Sequence, residues 1–408
     1  MKKIPVLIAG ATGRVGETMI RLLEERHFPV ERLLPAATAR SAGKTIVFRG
    51  EHVPIITLEQ ALHTTPGIAL FAAGGAVSKV WAPLFVEKGW QVVDNSSYWR
   101  MTQGVPLIVP EINGHTLQPT DRLIANPNCS TIQMVMALAP LHKAFGLQRI
   151  VAATYQSVSG SGRKGEAQLE RERTQALTHA AQPDAAPIQA GAAQPDADIT
   201  QAQSLTAQPE TNITQAGQRQ LPADSASPYP CPIDLNVIPQ IGNFLEDGYS
   251  EEEHKMMDET KKILNDPSIG VSATTVRVPV YGAHCVSMNV QLARPFTLDE
   301  VRRLLSSFPG LVLTDGPKGQ APFDDPESGP GLTSESRYGL APGVQPALGY
   351  ATPLTAKGSD AVYVSRVRRD TSIENGLELW TVADNIRKGA ALNAVQIAEH
   401  LLMLRGSE

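Results

Sequence analysis

The sequence predicts an α/β protein, with an N-terminal domain built on a parallel sheet followed by a second, mixed α/β domain. Three observations predict it. The run Pro5-Val6-Leu7-Ile8-Ala9 has the pattern of a buried strand, and it breaks into a turn holding three glycines before a helix from about Glu17 to Arg26. Strand-like apolar runs and helical stretches go on alternating as far as Asp94, as crossovers between parallel strands require. The chain of 408 residues, 42% hydrophobic and 19% charged, is long enough to bury two sizeable cores.

Composition also excludes some classes. A formal net charge of -5 gives no reason to expect nucleic acid or an anionic membrane as a partner. The three cysteines, Cys129, Cys231 and Cys285, are odd in number and far apart, which suits neither a disulfide framework nor a zinc site. No metal is expected, and a reducing, cytoplasmic setting is. The apolar run Ile4 to Ala9 is too short for a leader, and no run is long enough to cross a bilayer.

The first turn reads Gly10-Ala11-Thr12-Gly13-Arg14-Val15-Gly16, a G-x-x-G-x-x-G variant of the dinucleotide fingerprint. Glycines let the backbone approach a pyrophosphate, and the helix start supplies N–H donors and positive potential. Many turns hold three glycines; a strand before and a helix after give these their weight. The next strand, Val30 to Ala37, runs into Thr38-Ala39-Arg40-Ser41-Ala42-Gly43-Lys44 without the carboxylate that usually grips the ribose of NAD. Arg40 and Ser41 suit a 2′-phosphate instead, so NADP is the expected cofactor; the plainer reading is a solvated basic turn.

Ile68 to Ala73 reads as a further strand, ended by Gly74-Gly75 where a sheet edge could meet the cofactor. Helix Val77 to Lys88 and strand Gln91 to Asp94 follow, then a polar loop Asn95 to Arg100. Loops at the carboxyl ends of such strands line a ligand crevice, which makes Arg100 a candidate anion binder.

The stretch Asn126-Pro127-Asn128-Cys129-Ser130-Thr131 leads into an apolar helix. Pro127 discourages helix at Asn126, and the apolar run after Asn128 puts Cys129 on or just before the first turn, where free N–H groups and the macrodipole favour thiolate. Such a cysteine is a candidate covalent nucleophile, against the commoner fate of an inert buried thiol. Strand Arg149 to Tyr155 then leads to a second glycine-rich turn, Gln156 to Gly162, able to close over a nicotinamide or a reacting carbonyl.

From Thr174 to Pro228 the composition turns to Ala, Gln, Pro, Thr and Asp and repeats itself, which predicts a mobile loop. Gly316 to Ala347, dense in Pro and Gly, predicts an irregular surface excursion. Between them, Glu251-Glu252-Glu253 opens an amphipathic helix to about Leu264, an arrangement that the macrodipole alone explains. Strand Val271 to Val280 carries Arg277, whose guanidinium wants a carboxylate or phosphate, and His284 follows near the same place. The chain ends with Asp384-Asn385-Ile386-Arg387-Lys388-Gly389 and a long apolar helix.

Together, Asn126 to Thr131, Gln156 to Gly162, Arg277 to His284 and Asp384 to Asn393 closely resemble the aspartate-semialdehyde dehydrogenases of the bacterial type, in four separated motifs in the same order. The resemblance covers nearly the whole chain apart from the two insertion-like stretches. It implies a Rossmann-type NADP domain, residues 1–127 plus 375–408, and a catalytic and dimerisation domain, residues 128–374, of the glyceraldehyde-phosphate-dehydrogenase-like kind. It implies Cys129 as nucleophile, His284 as the acid–base residue and Gln156 as the group orienting the acyl intermediate. Arg277 matches the clamp on the substrate α-carboxylate and Glu252 the partner of its amino group. Arg100 and Lys255 match the phosphate-binding cations, with Asn128 beside them. Gly10, Thr12, Gly13, Arg14, Val15, Gly16, Thr38, Arg40, Ser41, Gly74, Ser159, Gly160 and Asn385 match positions around NADP. Where the family commonly has a hydroxyl residue after the histidine, this chain has Cys285, a second thiol whose reactivity has to be checked. The implied reaction interconverts aspartate semialdehyde, phosphate and NADP with aspartyl phosphate and NADPH, serving lysine (diaminopimelate), methionine, threonine and isoleucine biosynthesis, in a homodimer. The rival readings are an N-acetyl-glutamyl-phosphate reductase, a CoA-dependent semialdehyde or malonyl reductase, and a non-catalytic NADP-binding interaction protein.

Overall fold

The computed structural model describes residues 3–181, 227–315 and 349–405. Strand β1 (Ile4–Ala9), buried along its whole length, pairs in parallel with β2 (Val30–Ala36) and β5 (Ile68–Phe71). With β6 (Gln91–Asp94) and β7 (Leu123–Ala125) they form a five-stranded parallel sheet in the order β2-β1-β5-β6-β7. A short antiparallel hairpin, β3 (Thr45–Phe48) and β4 (Glu51–Pro54), stands apart from it. Both faces of the sheet are covered, which is why its strands read as continuous apolar runs. One face packs on α1 (Arg14–Glu25) and the C-terminal helix Leu392–Arg405, through Met19, Leu22, Leu23, Val395 and Leu401. The other packs on α2 (Leu58–Leu62) and α3 (Gly75–Glu87), through Phe85 and Trp90.

The strands end together. Ala9 pairs with Ala36 and Phe71, Phe71 with Asp94, and Asp94 with Ala125. Gly10, Ala72, Asn95 and Asn126 therefore leave the sheet along one edge, each amide bonded back to a neighbouring strand's carbonyl. Helix α1 begins at Arg14, ahead of the expected Glu17, because Gly13 is its N-cap and the glycine turn already contains the helix start.

After α4 (Pro110–Asn113), helix α5 (Cys129–Phe145) is buried on nearly every side. It packs with α7 (Glu251–Leu264) and α8 (Leu298–Ser307) on a six-stranded mixed sheet, through Met134, Leu138, Met256, Met288 and Leu305. Each such side chain contributes roughly 1.5–3 kcal/mol by leaving water. The sheet order is β11 (Leu311–Leu313), β12 (Val362–Asp370), β13 (Gly376–Ala383), β10 (His284–Leu292), β8 (Leu147–Ser157), β9 (Gly270–Val278). Parallel pairing of β8 with β9 puts Gln156 beside Arg277, and antiparallel pairing of β10 with β8 brings His284 to the same end.

Two boundaries differ from expectation. Strand β13 lies between β12 and β10, so residues 376–383 belong to the second sheet and the chain returns to the first only with the helix Leu392–Arg405. Helix α6 (Gly162–Ala181) runs past Thr174, where the low-complexity stretch was expected to begin, because Gln, Ala and Leu there are good helix formers. The rest of that stretch, 182–226, and the Pro/Gly-rich excursion at 316–347 lie outside the described residues. Among the described residues, no helix is long and apolar enough to cross a membrane.

Candidate active site

Asn128 caps α5, its Oδ1 accepting from the amides of Ser130 at 2.9 Å and Thr131 at 3.1 Å, so Cys129 is the first helical residue. The cysteine keeps some exposed surface, unlike an inert core thiol. The helix start does not leave it as thiolate, however. Burial pushes the thiol up to about 11, with the Glu252 carboxylate acting the same way and Arg100, Arg277 and the Ser130 amide acting against them. Desolvation outweighs the favourable end of the helix. Gly389 packs on the same residue: a Cβ there would lie 2.9 Å from that of Cys129.

Of the three glutamates opening α7, only Glu252 turns into this site. Glu253 accepts from the amides of Ser250 and Thr275, completing a capping box, and Glu251 accepts from the amide of Asn243. Glu252 is buried; its Oε1 accepts from Asn128 Nδ2 at 2.7 Å and Gln156 Nε2 at 3.2 Å, and its Oε2 lies 3.3 Å from Lys255 Nζ. Burial works to raise its carboxyl, but Lys255 and these donors outweigh it and hold the carboxyl below the usual range. Glu252 is thus a buried anion.

Arg277 is equally buried and, among the described residues, has no ion pair. One hydrogen bond, from Nη1 to the Ser157 carbonyl at 2.7 Å, accounts for its contact with the protein. A buried guanidinium with most of its donors unspent is a receptor for an anion. Arg100 differs. Its Nε donates to the Asn126 carbonyl at 2.9 Å, Nη2 to the Asn95 carbonyl at 2.8 Å, and Nη1 to Glu259 at 2.9 Å.

His284 is fully buried, and its Nδ1 accepts from the Ser157 amide at 3.0 Å. The neutral ring therefore carries its proton on Nε2, which has no partner among the described residues. Burial, then the Arg277 charge, lower its pKa to about 3. Gly160 covers both groups: a Cβ on it would lie 2.7 Å from Arg277 Nη1 and 3.1 Å from His284 Nε2. Beside them Ser159 Oγ donates to Asn385 Oδ1 at 2.9 Å. Cys285 is buried, and burial alone pushes its thiol up to about 12.

The glycine turn fits a dinucleotide phosphate. Gly10 has φ +85°, and a Cβ there would meet the Ala72 carbonyl oxygen at 2.6 Å; one on Gly16 would meet the Gly10 carbonyl oxygen at 2.3 Å. No side chain caps α1, so its first amides face outward with Thr12, Gly13 and Val15 around them. Arg14 is drawn sideways into an ion pair with Glu166 of α6. Gly74, with φ +87°, caps α3 on the same edge. Thr38 and Arg40 are exposed and Ser41 half-buried on the turn after β2, and no carboxylate ends that strand. They stand four strand spacings, about 19 Å, from β7, so they are not part of the cluster around Cys129 and would meet the far end of an extended cofactor.

The structure thus gathers Asn128, Cys129, Gln156, Glu252, Arg277 and His284 into one buried cluster, with Arg100, Lys255, Ser159, Gly160 and Asn385 at its borders. Sequence reasoning missed Glu259, which accepts from both Arg100 and the Asn128 amide. Its spacing of seven from Glu252, two helical turns on one face, could have found it. It also missed Lys388, buried in a π-helical turn (Arg387–Ala391) and bonded to both oxygens of Glu111, to Asn393 and to Gln396.

Comparison with known proteins agrees with this geometry. Residues 5–120 match the family model for the semialdehyde dehydrogenase NAD binding domain, and residues 138–329 that for the semialdehyde dehydrogenase dimerisation domain. Aspartate-semialdehyde dehydrogenases of Shewanella violacea and Aquifex aeolicus are each 39% identical, over 97% of both chains. The crystal structure of aspartate semialdehyde dehydrogenase II from Vibrio cholerae complexed with ASA is 37% identical, with a TM-score of 0.77 over 99% of both chains. A probable aspartate-semialdehyde dehydrogenase from Pseudomonas aeruginosa is 26% identical, with a TM-score of 0.73 over 98% of this chain and 99% of that one. A parallel-sheet dinucleotide domain, a mixed-sheet partner domain and similarity over the whole length place this chain in the aspartate-semialdehyde dehydrogenase family of oxidoreductases.

Proposed function

We propose that the protein is an NADP-dependent, phosphorylating aspartate-semialdehyde dehydrogenase that works through a thioester on Cys129. The observation that carries this reading is the pair of opposite buried charges beside the thiol. Arg277 has no ion pair among the described residues and Glu252 is a buried anion, a pairing of charges that suits the carboxylate and ammonium of an α-amino acid. An uncharged aldehyde would leave the Arg277 guanidinium without a counter-ion.

Binding such a substrate also changes the protonation of the site. An ammonium on Glu252 cancels the charge that, after burial, does most to hold the thiol protonated; the Arg277 charge, cancelled at the same time, acts on it more weakly. A carboxylate on Arg277 removes the second cause holding His284 down. Thiol and imidazole therefore both move toward their reactive forms only with substrate in place. Cys129 Sγ, as thiolate, then adds to the aldehyde carbon, and His284, the acid–base residue, donates from its Nε2–H to the resulting alkoxide oxygen. The Ser130 and Thr131 amides are spent on the Asn128 cap, so Gln156 Nε2, turning from Glu252, is the donor for the oxyanion, at roughly 3–4 kcal/mol. Gly10 to Gly16 would hold NADP at its phosphates and Thr38, Arg40 and Ser41 at its adenosine, and the bound cofactor would supply the hydride acceptor. Lys255 and the remaining donors of Arg100 place phosphate for attack on the thioester. Sulfur serves both halves, as a strong nucleophile and then a good leaving group.

The second sheet's face away from α5, α7 and α8 carries the ring pair Tyr155–Trp380, with centroids 5.5 Å apart, and Tyr155 is exposed. A homodimer through this domain is the assembly we infer, supported by the match to a dimerisation domain. A cytoplasmic enzyme supplying lysine, methionine, threonine and isoleucine biosynthesis is the corresponding role.

The test is oxidation of aspartate semialdehyde with NADP and inorganic phosphate, run beside NAD and beside CoA. Turnover should require phosphate and prefer NADP; CoA-dependent turnover, or a preference for N-acetyl-glutamate semialdehyde, would refute the reading. Arg277→Lys should raise KM for the semialdehyde by about 10- to 100-fold with a smaller change in kcat, because a point charge cannot replace a two-pronged grip. An unchanged KM in that variant would remove Arg277 from the substrate site.

A further inference from the structure

The two buried arginines of the site differ in one respect: Arg277 has no carboxylate partner among the described residues, and Arg100 has Glu259. Glu259 is itself buried, and both its oxygens are in use. Oε1 accepts from Arg100 Nη1 at 2.9 Å and Oε2 from the backbone amide of Asn128 at 2.6 Å. Asn128 is at once the cap of α5, the donor to Glu252 and the residue before the nucleophile. Arg100 in turn holds the carbonyls of Asn95 and Asn126. One carboxylate thus ties the crevice loop of the first sheet to the peptide that presents Cys129.

We propose that Glu259 is a positioning residue with two separable effects: it fixes the peptide ahead of Cys129, and as counter-ion to Arg100 it limits how strongly the site holds phosphate. The inference rests on the reading of Arg100 and Lys255 as the phosphate cations. A compensated arginine is the sensible choice there, since phosphate must bind, react and leave, whereas a fully uncompensated one would hold the anion as a trap.

The effects part company in two variants of the full-length protein. Glu259→Gln removes the charge and keeps one good acceptor for two donors. It should lower KM for inorganic phosphate by about tenfold, the size of one partly screened charge, while kcat falls roughly tenfold to a hundredfold through loss of alignment. Glu259→Asp keeps the charge but is one methylene too short to span both donors. It should leave the phosphate KM near wild type while kcat falls in the same range. A merely structural carboxylate would instead weaken phosphate in both variants, along with the melting temperature, and that result overturns the proposal. So does a phosphate KM left unchanged by Glu259→Gln. The rate of Cys129 alkylation by iodoacetamide is read in parallel. A rate altered severalfold in both variants supports the positioning effect, and a wild-type rate in both refutes it. If the wild-type enzyme shows no phosphate-dependent turnover, the functional reading fails on its own, and alkylation still decides whether Glu259 positions the thiol.

Discussion

Replacing Cys129 with alanine is expected to abolish semialdehyde oxidation, by about 10⁶-fold as for other covalent nucleophiles, while NADP binding followed by nucleotide fluorescence stays at its wild-type level. The two outcomes separate because the cysteine heads α5 at the end of β7, whereas the phosphate turn follows β1, three strands away in the sheet. More than a per cent or so of residual turnover would mean that sulfur is not acylated. The free enzyme should also show its thiol protonated. With the thiol pushed up to about 11 by burial and Glu252, alkylation of Cys129 in the absence of substrate should rise about tenfold per pH unit above neutrality. A plateau near pH 7 would show that the start of the helix does hold a thiolate and that desolvation had been given too much weight.

Replacing Lys388 with methionine is expected to cost about 3–5 kcal/mol of stability, the usual result of stranding one member of a buried ion pair, seen as a lower denaturant midpoint. Lys388 is 1% exposed and its ammonium has four acceptor atoms, two on Glu111 at 2.8 Å and one each on Asn393 and Gln396. Burial works to raise the Glu111 carboxyl, but the Lys388 charge and hydrogen bonds outweigh it and hold the group below the usual carboxylate range. Its contribution is therefore complete above the unfolded value of about 4.3 and is lost as the pH falls through the lowered folded value. Adding Glu111→Gln to the methionine variant should recover most of the loss. Failure to recover would show that the methionine damaged packing rather than stranding a charge. Activity should suffer beyond the stability change, because the same π-helical turn presses Gly389 against Cys129.

Much of this was legible before any coordinates. The strand–glycine turn–helix start needed no partner to be recognised, since a glycine at φ +85° and a helix cap are local facts. The same holds for Asn128-Cys129, where a proline and a capping asparagine place the thiol on the first turn. Other elements were not legible for a physical reason. Strand β13 and the apolar helix after it are separated only by Asp384 to Ala391, and pairing with β10 and β12 decides that residues 376–383 join the second sheet. Helix α6 continues into a stretch whose composition resembled a linker because helix propensity and low complexity use the same residues.

The candidate site divides along the same line. Residue types and spacing determined the chemistry available: a thiol at a helix start, a strand arginine, a histidine seven residues on, and a turn made for a pyrophosphate. Tertiary structure decided how those groups are charged and which of them are left unanswered. Arg277 and Arg100 both read as anion binders in sequence, yet among the described residues one is buried without an acid and the other is bound to Glu259. Local sequence placed Cys129 at the helix start, whereas the desolvation that pushes its thiol up depends on every atom packed nearby. Local rules fix where a group stands on the chain; only the folded surroundings set its energy.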